Sequence, residues 1–426
     1  MTFRLIGSDE LSLLFCVHIS DWADLLSYLG FLRDNARWLA GGIVLTTFSG
    51  FGQTFFISLS SGHLREAFDL SHGQFGLLYM IATLGSACVL PWVGKSVDVY
   101  PAHKVAVFVV LSLAGFCLVM SSVSSVVMLF VAIFGLRLCG QGMMTHTSMT
   151  AMARWFSAQR GRAVSFAALG FPVSESLMPS LFVFLAGVIG WRMGWAVAAI
   201  ALVAIALPAS FLALRKERTP TTADARKDEA TVASWTRRQV LHDPVFWIAS
   251  AGILAPPFIN TAILFNQVYL VELRGWTMEL FASAFVVMAV AAVLSSLTLG
   301  SLIDRFSAKT ILPFALVPLT GACFVLAFFH QPWAPFLFMA LFGLGNGFTA
   351  TLSGAFWPEI YGTRHIGAIR SVAFALMVFS SAAGPGLMGI LLDLDFAFDH
   401  QLIGMAIYCV LMTVVLVRIA RHVGNR

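Results

Sequence analysis

Long stretches without a charged residue alternate with short polar segments along this chain. They include Val105–Leu136, Pro244–Val271, Thr310–Pro358 and Ser371–Leu392. A membrane-spanning helix needs about 20 apolar residues, so each stretch has room for one or two spans. The apolar residues are continuous rather than alternating, and backbone groups in lipid must hydrogen-bond internally. The pattern therefore predicts transmembrane α-helices.

Twelve spans are predicted, six on each side of a polar segment. They cover 38–62, 71–93, 103–122, 124–150, 163–187, 191–214, 245–270, 279–300, 310–330, 333–356, 366–392 and 400–420. The predicted fold class is an all-α membrane protein built from two six-helix repeats. Its expected parts are a cytoplasmic or interfacial tail (1–37), an N-terminal bundle (38–214), a cytoplasmic linker (215–240), a C-terminal bundle (241–420) and a short tail (421–426).

Composition and charge agree with a membrane protein. Hydrophobic residues make up 59% of the chain and charged residues 11%, whereas soluble domains have about 45–50% and about 25%. With a cytoplasmic N-terminus, only Arg65, Arg192 and Arg274 fall on outer loops, and Arg137 lies inside span 4. Because basic residues favour the cytoplasmic side, both termini are predicted to be cytoplasmic. The bacterial inner membrane is the expected location, and the net charge of +5 does not indicate a nucleic-acid partner.

A short pattern occurs twice in the chain, 206 residues apart. Gly94 to Asp98 follows span 2, and Gly300 to Asp304 follows span 8. Gly161 and Gly367 begin a second repeated pattern with the same offset. A fixed offset near half the chain length indicates two copies of one membrane unit, and many solute carriers are built in this way.

The repeated turns resemble the G-x-x-x-D-R loop motif of the major facilitator superfamily. The second copy matches it with a basic residue after it, whereas the first copy has Val99 and Pro101 in place of Arg and Gly. A carboxylate at a helix N-terminus gains about 0.3–1 kcal/mol. The resemblance implies that the two Asp residues meet the starts of spans 11 and 5 and hold the cytoplasmic side closed. The expected gating residues are Gly94, Asp98, Lys104, Gly300, Asp304, Arg305 and Lys309.

Two other segments support this resemblance. Arg137 to Gly142 is similar to the Arg- and Gly-bearing motif of helix 4 in the superfamily, and Arg154 to Ala163 is similar to the helix 4–5 loop of its monocarboxylate and oxalate–formate branch. The resemblance implies a twelve-helix fold and secondary active transport by alternating access. It also implies a central cavity lined by spans 1, 4, 7 and 10.

Two charged residues lie near the middle of the membrane, Arg137 in span 4 and Glu175 in span 5. A charge at this depth costs about 2.5–3.5 kcal/mol, so it normally faces a cavity or a partner. We expect Arg137 and Glu175 to interact, directly or through water. A carboxylate that alternately pairs with Arg and is released from it can couple transport to protons. A static pair that fixes helix packing is the alternative.

Uncharged polar residues at similar depth are the other candidates for solute binding. Together with Arg137, the resemblance favours Gln53, Gln141, Asn260, Asn266 and Asn346 as solute contacts. Gln53 follows Gly50 and Gly52, which permit close approach of another helix. Amides in membrane helices also bond neighbouring helices, typically for under about 2 kcal/mol, so a structural role is the alternative for each residue.

The substrate class has two candidates, and both fit a monomeric transporter that takes up a small organic solute with protons. One is a neutral or weakly charged nutrient, including a planar aromatic vitamin such as riboflavin. The other is a monocarboxylate-type anion that Arg137 would neutralise. The branch that the chain resembles carries further basic residues in helices 8 and 11, and residues 280–300 and 371–392 contain none.

Other functional classes fit the sequence less well. Export of drugs or metabolites is the main alternative, although Gly170-Phe171-Pro172 does not match the exporter motif of helix 5. A channel or a membrane enzyme is a remote alternative, because the gate motif is duplicated and no catalytic groups converge at one depth. No cofactor or metal is predicted, since the chain has no nucleotide-binding loop and no cluster with metal-ligand spacing.

Overall fold

The computed structural model describes residues 30–156, 159–218, 235–362 and 365–424. All regular secondary structure among these residues is helical. Eleven helices are long and apolar enough to cross a membrane, and one bent pair of helices supplies a twelfth span. The spans are α1 (Gly30–Gly52 and Thr54–Phe68), α2 (His72–Val99), α3 (Ala102–Ser121), α4 (Val126–Trp155), α5 (Gly161–Ile189), α6 (Trp191–Leu214), α7 (Pro244–Phe265), α8 (Met278–Phe306), α9 (Ala308–Phe328), α10 (Ala334–Tyr361), α11 (Ile366–Asp393) and α12 (Phe398–Gly424). The predicted fold class is confirmed.

Several helices extend beyond their predicted ends. The chain is already helical at Gly30, so residues 30–37 of the predicted tail belong to α1, and α12 reaches Gly424 through part of the predicted C-terminal tail. A short helix, Arg237–His242, precedes α7 and extends across the predicted end of the linker at residue 240. Hydropathy detects the apolar centre of a span, whereas helical hydrogen bonding continues into polar residues at the interface. Residues 1–29 and 219–234 lie outside the described residues.

Polar residues cap the starts of several spans. Ser71 accepts a hydrogen bond from the backbone N–H of Gln74 and forms a capping box with it at the start of α2. Backbone N–H groups at the starts of α4, α7 and α8 likewise donate to the side chains of Ser125, Asp243 and Thr277. These side chains satisfy backbone N–H groups that have no partner within the helix. They therefore fix where the loops end and the spans begin.

The two six-helix halves contact each other through α1 and α7, α2 and α11, and α5 and α8. Hydrogen bonds join them at the end of the molecule where α1 turns into α2, which we call the closed end. Ser58 Oγ donates to the carbonyl oxygen of Leu264 at 2.7 Å, and Gln267 Nε2 donates to that of Phe55 at 2.8 Å. The Phe75 and Phe265 rings stack with centroids 5.1 Å apart. The halves are thus packed together at the closed end.

The opposite end carries the repeated loops and the residues flanking the linker, and we call it the linker end. Between pairs of residues that the structure describes, no hydrogen bond or ion pair joins the two halves there. The hydrogen bonds that join the two halves between described residues therefore lie at the closed end.

Candidate functional site

The first span is interrupted at its centre. Gln53 has extended backbone angles, φ −85° and ψ 155°, and the two parts of α1 meet at an angle of 43°. Such a break leaves backbone groups without helical partners, which membrane proteins tolerate only where protein or a water-filled cavity surrounds them. Breaks of this kind often form solute sites in transporters. The predicted span 38–62 did not include this break, and Gly50 and Gly52 were interpreted only as permitting close approach of another helix.

Glycines allow α1 and α4 to touch at this break. A Cβ atom on Gly52 would lie 2.1 Å from the carbonyl oxygen of Leu136 and 2.7 Å from Cα of Gly140. A Cβ atom on Gly140 would lie 2.6 Å from Cα of Gly52. No side chain fits between the two backbones. The crossing therefore brings the carbonyl group of Gly52 next to the side chains of α4.

Arg137 occupies this crossing. It is 2% exposed and begins a π-helical segment of α4, Arg137–Met144. Its Nη1 atom donates to the carbonyl oxygen of Gly52 and to Thr54 Oγ1, each at 3.3 Å. Thr54 Oγ1 in turn lies 2.8 Å from the hydroxyl of Tyr79, and the guanidinium carbon is 5.4 Å from the Tyr79 ring centroid. Thr54 and Tyr79 were not predicted from the sequence, because neither residue is charged or part of a motif.

The expected direct interaction between Arg137 and Glu175 is absent: neither residue forms an ion pair or a hydrogen bond with the other among the described residues. Helices α4 and α5 pack together next to their loop, whereas at the level of Arg137 each packs against α1. Ser174, beside Glu175, lies against Gly50 of α1. Adjacency along the chain did not make the two helices neighbours at mid-membrane, so the direct pair does not form in this structure, and an interaction through water stays a prediction.

The C-terminal half has a polar contact in the equivalent place. Asn260 Nδ2 of α7 donates a short hydrogen bond to Asn346 Oδ1 of α10. At the offset of 206 residues, Asn260 corresponds to Thr54 and Asn346 to Gly140. The same crossing is thus linked by polar groups in both halves. Asn260 Oδ1 is buried and has no hydrogen-bond partner among the described residues, so it can accept a hydrogen bond from a solute.

The remaining candidate solute residues differ in their surroundings. Gln53 and Gln141 are half-buried, and their side chains form no hydrogen bond with the described residues. Asn266 is buried, and its Nδ2 atom donates to the carbonyl oxygen of Ala262 in the preceding turn of its own helix. Gln53, Arg137, Gln141, Asn260 and Asn346 therefore lie on the four helices that the resemblance assigns to the cavity, and Asn266 lies near the closed end.

Comparison with known proteins agrees with this arrangement. The sequence model of the Major Facilitator Superfamily matches residues 42–385 and 261–426, which together cover most of the chain. The chain belongs to the major facilitator superfamily. The transporter is therefore a membrane protein that moves a small solute, and not an enzyme, as expected from the sequence. No curated protein sequence matches it significantly.

Solved structures show the same fold at low sequence identity. A bacterial homologue of the human lysosomal transporter Spinster, in an inward-facing and unoccupied conformation, has a TM-score of 0.67 and 14% identity, with 91% of this chain and 97% of that chain covered. The nucleoside transporter NupG has a TM-score of 0.64 and 15% identity, with 90% and 99% covered. Identities this low establish the fold alone.

The expected gating residues of the transporter lie at the linker end. Gly94 is buried, and a Cβ atom there would lie 3.2 Å from Nε2 of His146. Asp98 and Lys104 are exposed, and the Arg305 guanidinium lies 5.1 Å from the Phe306 ring centroid. Lys309 is half-buried in α9. Gly300 and Asp304 belong to α8, and their side chains are outside the described part of the chain. The gating role stays a prediction.

Two carboxylates that the sequence analysis did not assign cap helices at the linker end. The backbone N–H of Ala102 donates to Glu217 Oε1 at 3.4 Å, and that of Ala308 donates to Glu359 Oε2 at 2.7 Å. Ala102 and Ala308 are 206 residues apart, so the first turns of α3 and α9 are capped equivalently. Arg154 holds Glu217 with an Nη2 to Oε1 distance of 3.8 Å. Their signal in the sequence was weak, because Glu217 follows the end of α6 whereas Glu359 belongs to α10, so the two carboxylates are not at equivalent positions of the repeats.

Metal binding has no support in the described part of the chain. No three His, Cys, Asp or Glu side chains there come close enough to hold a metal ion. The chemistry available at the central crossing is hydrogen bonding and charge compensation by Arg137 and the surrounding amides.

Proposed function

We propose that the transporter takes up a small organic anion of the monocarboxylate type together with protons, by alternating access. The observation that carries the proposal is the buried guanidinium of Arg137. It has five N–H donors and makes two hydrogen bonds, and Nε is buried without a partner among the described residues. No carboxylate of the described chain neutralises it, and a solute carboxylate supplies both charge compensation and acceptors.

The arrangement of the two halves supports alternating access. The predicted orientation places the linker end in the cytoplasm and the closed end outside. In that orientation the cross-half hydrogen bonds of Ser58, Gln267 and Asp393 close the outer side. A solute leaves toward the cytoplasm from this state. The repeated loops then close the linker end when the cavity opens to the outside.

Proton coupling is assigned to Glu175. It is a carboxyl group in the middle of α5 without a charged partner among the described residues. Intramembrane carboxyl groups commonly act as proton carriers in transporters. Because Glu175 is not bound to Arg137, the proton and the anion have separate sites. When both are carried together, the net charge that crosses the membrane is smaller than for the anion alone.

A neutral planar aromatic nutrient is the second candidate for the solute. Tyr79, whose hydroxyl contacts Thr54, lies beside a second aromatic ring: the ring centroids of Tyr79 and Phe265 are 4.6 Å apart. Stacking on such rings contributes about 0.5–1.5 kcal/mol beyond area burial. The charge of Arg137 favours the anion.

The test is uptake by purified transporter in proteoliposomes, with and without an inward proton gradient. Small monocarboxylates and planar neutral nutrients are presented in parallel. We expect saturable, gradient-dependent accumulation of a monocarboxylate. In Arg137→Gln the KM for the anion should rise about 10- to 100-fold, since a hydrogen bond to a charged group contributes about 1.5–3 kcal/mol.

Arg137→Lys keeps the positive charge and should retain more affinity than Arg137→Gln. Arg192→Gln is the matched control, because Arg192 Nη1 donates to the carbonyl oxygen of Val123 at the closed end of the molecule. Accumulation of the neutral nutrients alone, with an unchanged KM in Arg137→Gln, would favour the second candidate. Gradient-driven extrusion would establish an exporter, and a flux that does not saturate would indicate a channel.

A further inference from the structure

A crevice of about 630 Å³ lies between α11 and α12, with α7 as its floor. Both helices pack on α7, and the crevice begins where they separate. Its walls are mainly apolar and include Leu254, Phe258, Leu387, Met388, Leu391 and Met405. Leu387, Phe396 and Tyr408 form its rim and are 42–49% exposed on the outer surface of the helix bundle. The crevice therefore opens toward lipid and not toward the central cavity.

In the N-terminal half, aromatic side chains occupy the space that is equivalent to this crevice. Phe56 of α1, Phe182 of α5 and Trp195 of α6 form a cluster with ring centroids 4.9–5.9 Å apart. At the offset of 206 residues these three positions correspond to Ala262, Met388 and Gln401. Leu402, which follows Gln401 in α12, is also smaller than the Trp195 of the N-terminal half. The crevice thus results from smaller side chains in one repeat.

A buried polar group lines this apolar crevice. Gln401 is 5% exposed, and its Nε2 atom donates to the carbonyl oxygen of Phe396 at 2.9 Å. Its Oε1 atom is buried and accepts no hydrogen bond from the described residues. A buried acceptor without a donor costs about 1–3 kcal/mol. Gln401 therefore indicates a ligand that brings an N–H or O–H donor.

Acidic residues lie on the turn next to this end of the crevice, which Phe396, His400 and Gln401 line. Asp393, Asp395 and Asp399 lie on or beside the α11–α12 turn. Arg274 pairs with Asp399, whereas Asp395 is exposed and forms no ion pair with a described residue. The turn thus carries an excess of negative charge. The donor that suits Gln401 is therefore part of a cationic group.

We propose that the crevice binds one phospholipid with a primary ammonium headgroup. The ammonium group donates to Gln401 Oε1 beside the acidic turn, and an acyl chain lies along α11. The lining of α11 from Ser380 to Leu391 spans about 16 Å at 1.5 Å per residue. This is about half of the ~30 Å hydrocarbon core, which matches the depth of a single leaflet.

The test is binding of defined lipids to the purified, delipidated full-length transporter, measured by native mass spectrometry and by thermal stability. Phosphatidylethanolamine, phosphatidylcholine and phosphatidylglycerol with identical acyl chains are compared. We expect one tightly bound phosphatidylethanolamine and a larger rise in melting temperature with it than with the other two lipids. Gln401→Leu should lower the preference for phosphatidylethanolamine over phosphatidylcholine about two- to tenfold, as expected for the loss of one hydrogen bond.

Filling the crevice separates this site from general lipid effects. A Cβ atom on Gly404 meets no atom within 4 Å, so Gly404→Trp introduces an indole into the crevice. It should abolish the selective phosphatidylethanolamine adduct. Gly115→Trp is the matched control, because Gly115 is also free of contacts within 4 Å and lies on α3 of the other half. If Gly404→Trp fails to fold, Gly404→Ile replaces it.

Three results would overturn the proposal. One is equal binding of all three lipids, and another is an unchanged phosphatidylethanolamine adduct in folded Gly404→Trp. The third is a dimer that Gly404→Trp dissociates, which would assign the crevice to a second copy of the chain. None of these measurements depends on transport, so they test the lipid site independently of the proposed substrate.

Discussion

At the scale of single residues, the centre of the transporter depends on glycines that leave space for backbone. Gly52 and Gly140 let α1 and α4 touch, and the buried carbonyl oxygen of Gly52 then accepts a hydrogen bond from Arg137. The guanidinium in turn holds Thr54 beside Tyr79. A substitution at either glycine therefore alters the packing of α1 and α4. It also moves the guanidinium of Arg137, which is the only charged group at this crossing among the described residues.

Gly52→Ala should destabilise the transporter by about 1–3 kcal/mol, the usual cost of overpacking. The added Cβ meets backbone atoms at 2.1 Å and 2.7 Å, which cannot rotate away as a side chain would. The measurement is the melting temperature of the purified protein, together with binding of the transported solute. Gly115→Ala, where a Cβ meets no atom within 4 Å, should cause no loss. Equal stability of the two variants would contradict the packing argument.

Glu175→Gln should abolish proton-driven accumulation while preserving exchange of solute across the membrane. The amide cannot carry a proton through the cycle, but it keeps the shape of the side chain. Gradient-driven uptake and counterflow in the same proteoliposomes separate the two activities. Glu66→Gln, an exposed carboxyl at the closed end, is the control. Normal accumulation in Glu175→Gln would assign Glu175 a structural role.

At the scale of helices, a helix end links the two halves. Asp393 at the end of α11 accepts hydrogen bonds from Ser71 Oγ at 2.5 Å and from the backbone N–H of Gly73 at 2.9 Å. Both donors belong to the first turn of α2, where the helix dipole attracts a negative charge. His72 packs edge-on against Tyr269, with ring centroids 4.6 Å apart. This contact stabilises the closed end in the present state.

Asp393→Asn should shift the transporter toward the other conformation, in which the two halves separate at the end that is closed in this structure. The loss of a charge from a helix N-terminus costs about 0.3–1 kcal/mol, which changes the ratio of the two states about two- to fivefold. The measurement is the distance distribution between spin labels at positions 66 and 273, one on each half. Asp395→Asn makes the same change of charge without a cross-half contact. Identical distributions for both variants would exclude the contact as a determinant of the equilibrium.

At the scale of the whole molecule, the two halves are repeats, and the hydrogen bonds that join them between described residues lie at one end along the membrane normal. Hydrogen bonds and aromatic contacts join them at the closed end, and the residues expected to form the gate occupy the other end. Transport by alternating access requires the second set of contacts to form when the first breaks. The gating residues of the repeated loops are the candidates for the second set.

Asp304→Ala should slow transport about two- to fivefold while membrane insertion stays normal, because the linker end loses a charge that stabilises its closed form by about 0.3–1 kcal/mol. Uptake is normalised to the amount of protein in the membrane. In the spin-label experiment this variant should move the equilibrium in the direction opposite to that of Asp393→Asn. Unchanged flux together with an unchanged equilibrium would remove Asp304 from the gate.

The sequence by itself determined the architecture. Lipid requires helices that are about 20 residues long and apolar, so the spans and the two repeats can be counted from charge-free stretches and from the 206-residue offset between Asp98 and Asp304. It also indicated a close approach of another helix at Gly50 and Gly52, whereas the break at Gln53 within the predicted span 38–62 is seen only in the structure. These features depend on local composition and on spacing along the chain.

Only the tertiary structure decided which side chains meet. Sequence adjacency suggested that Arg137 faces Glu175, but both helices pack against α1, and the partners of Arg137 are Gly52 and Thr54. The crevice beside Gln401 likewise follows from side-chain volumes on three helices that are far apart in sequence. Contacts between helices depend on rotation and packing, and a uniformly apolar span contains little information about which face turns toward which neighbour.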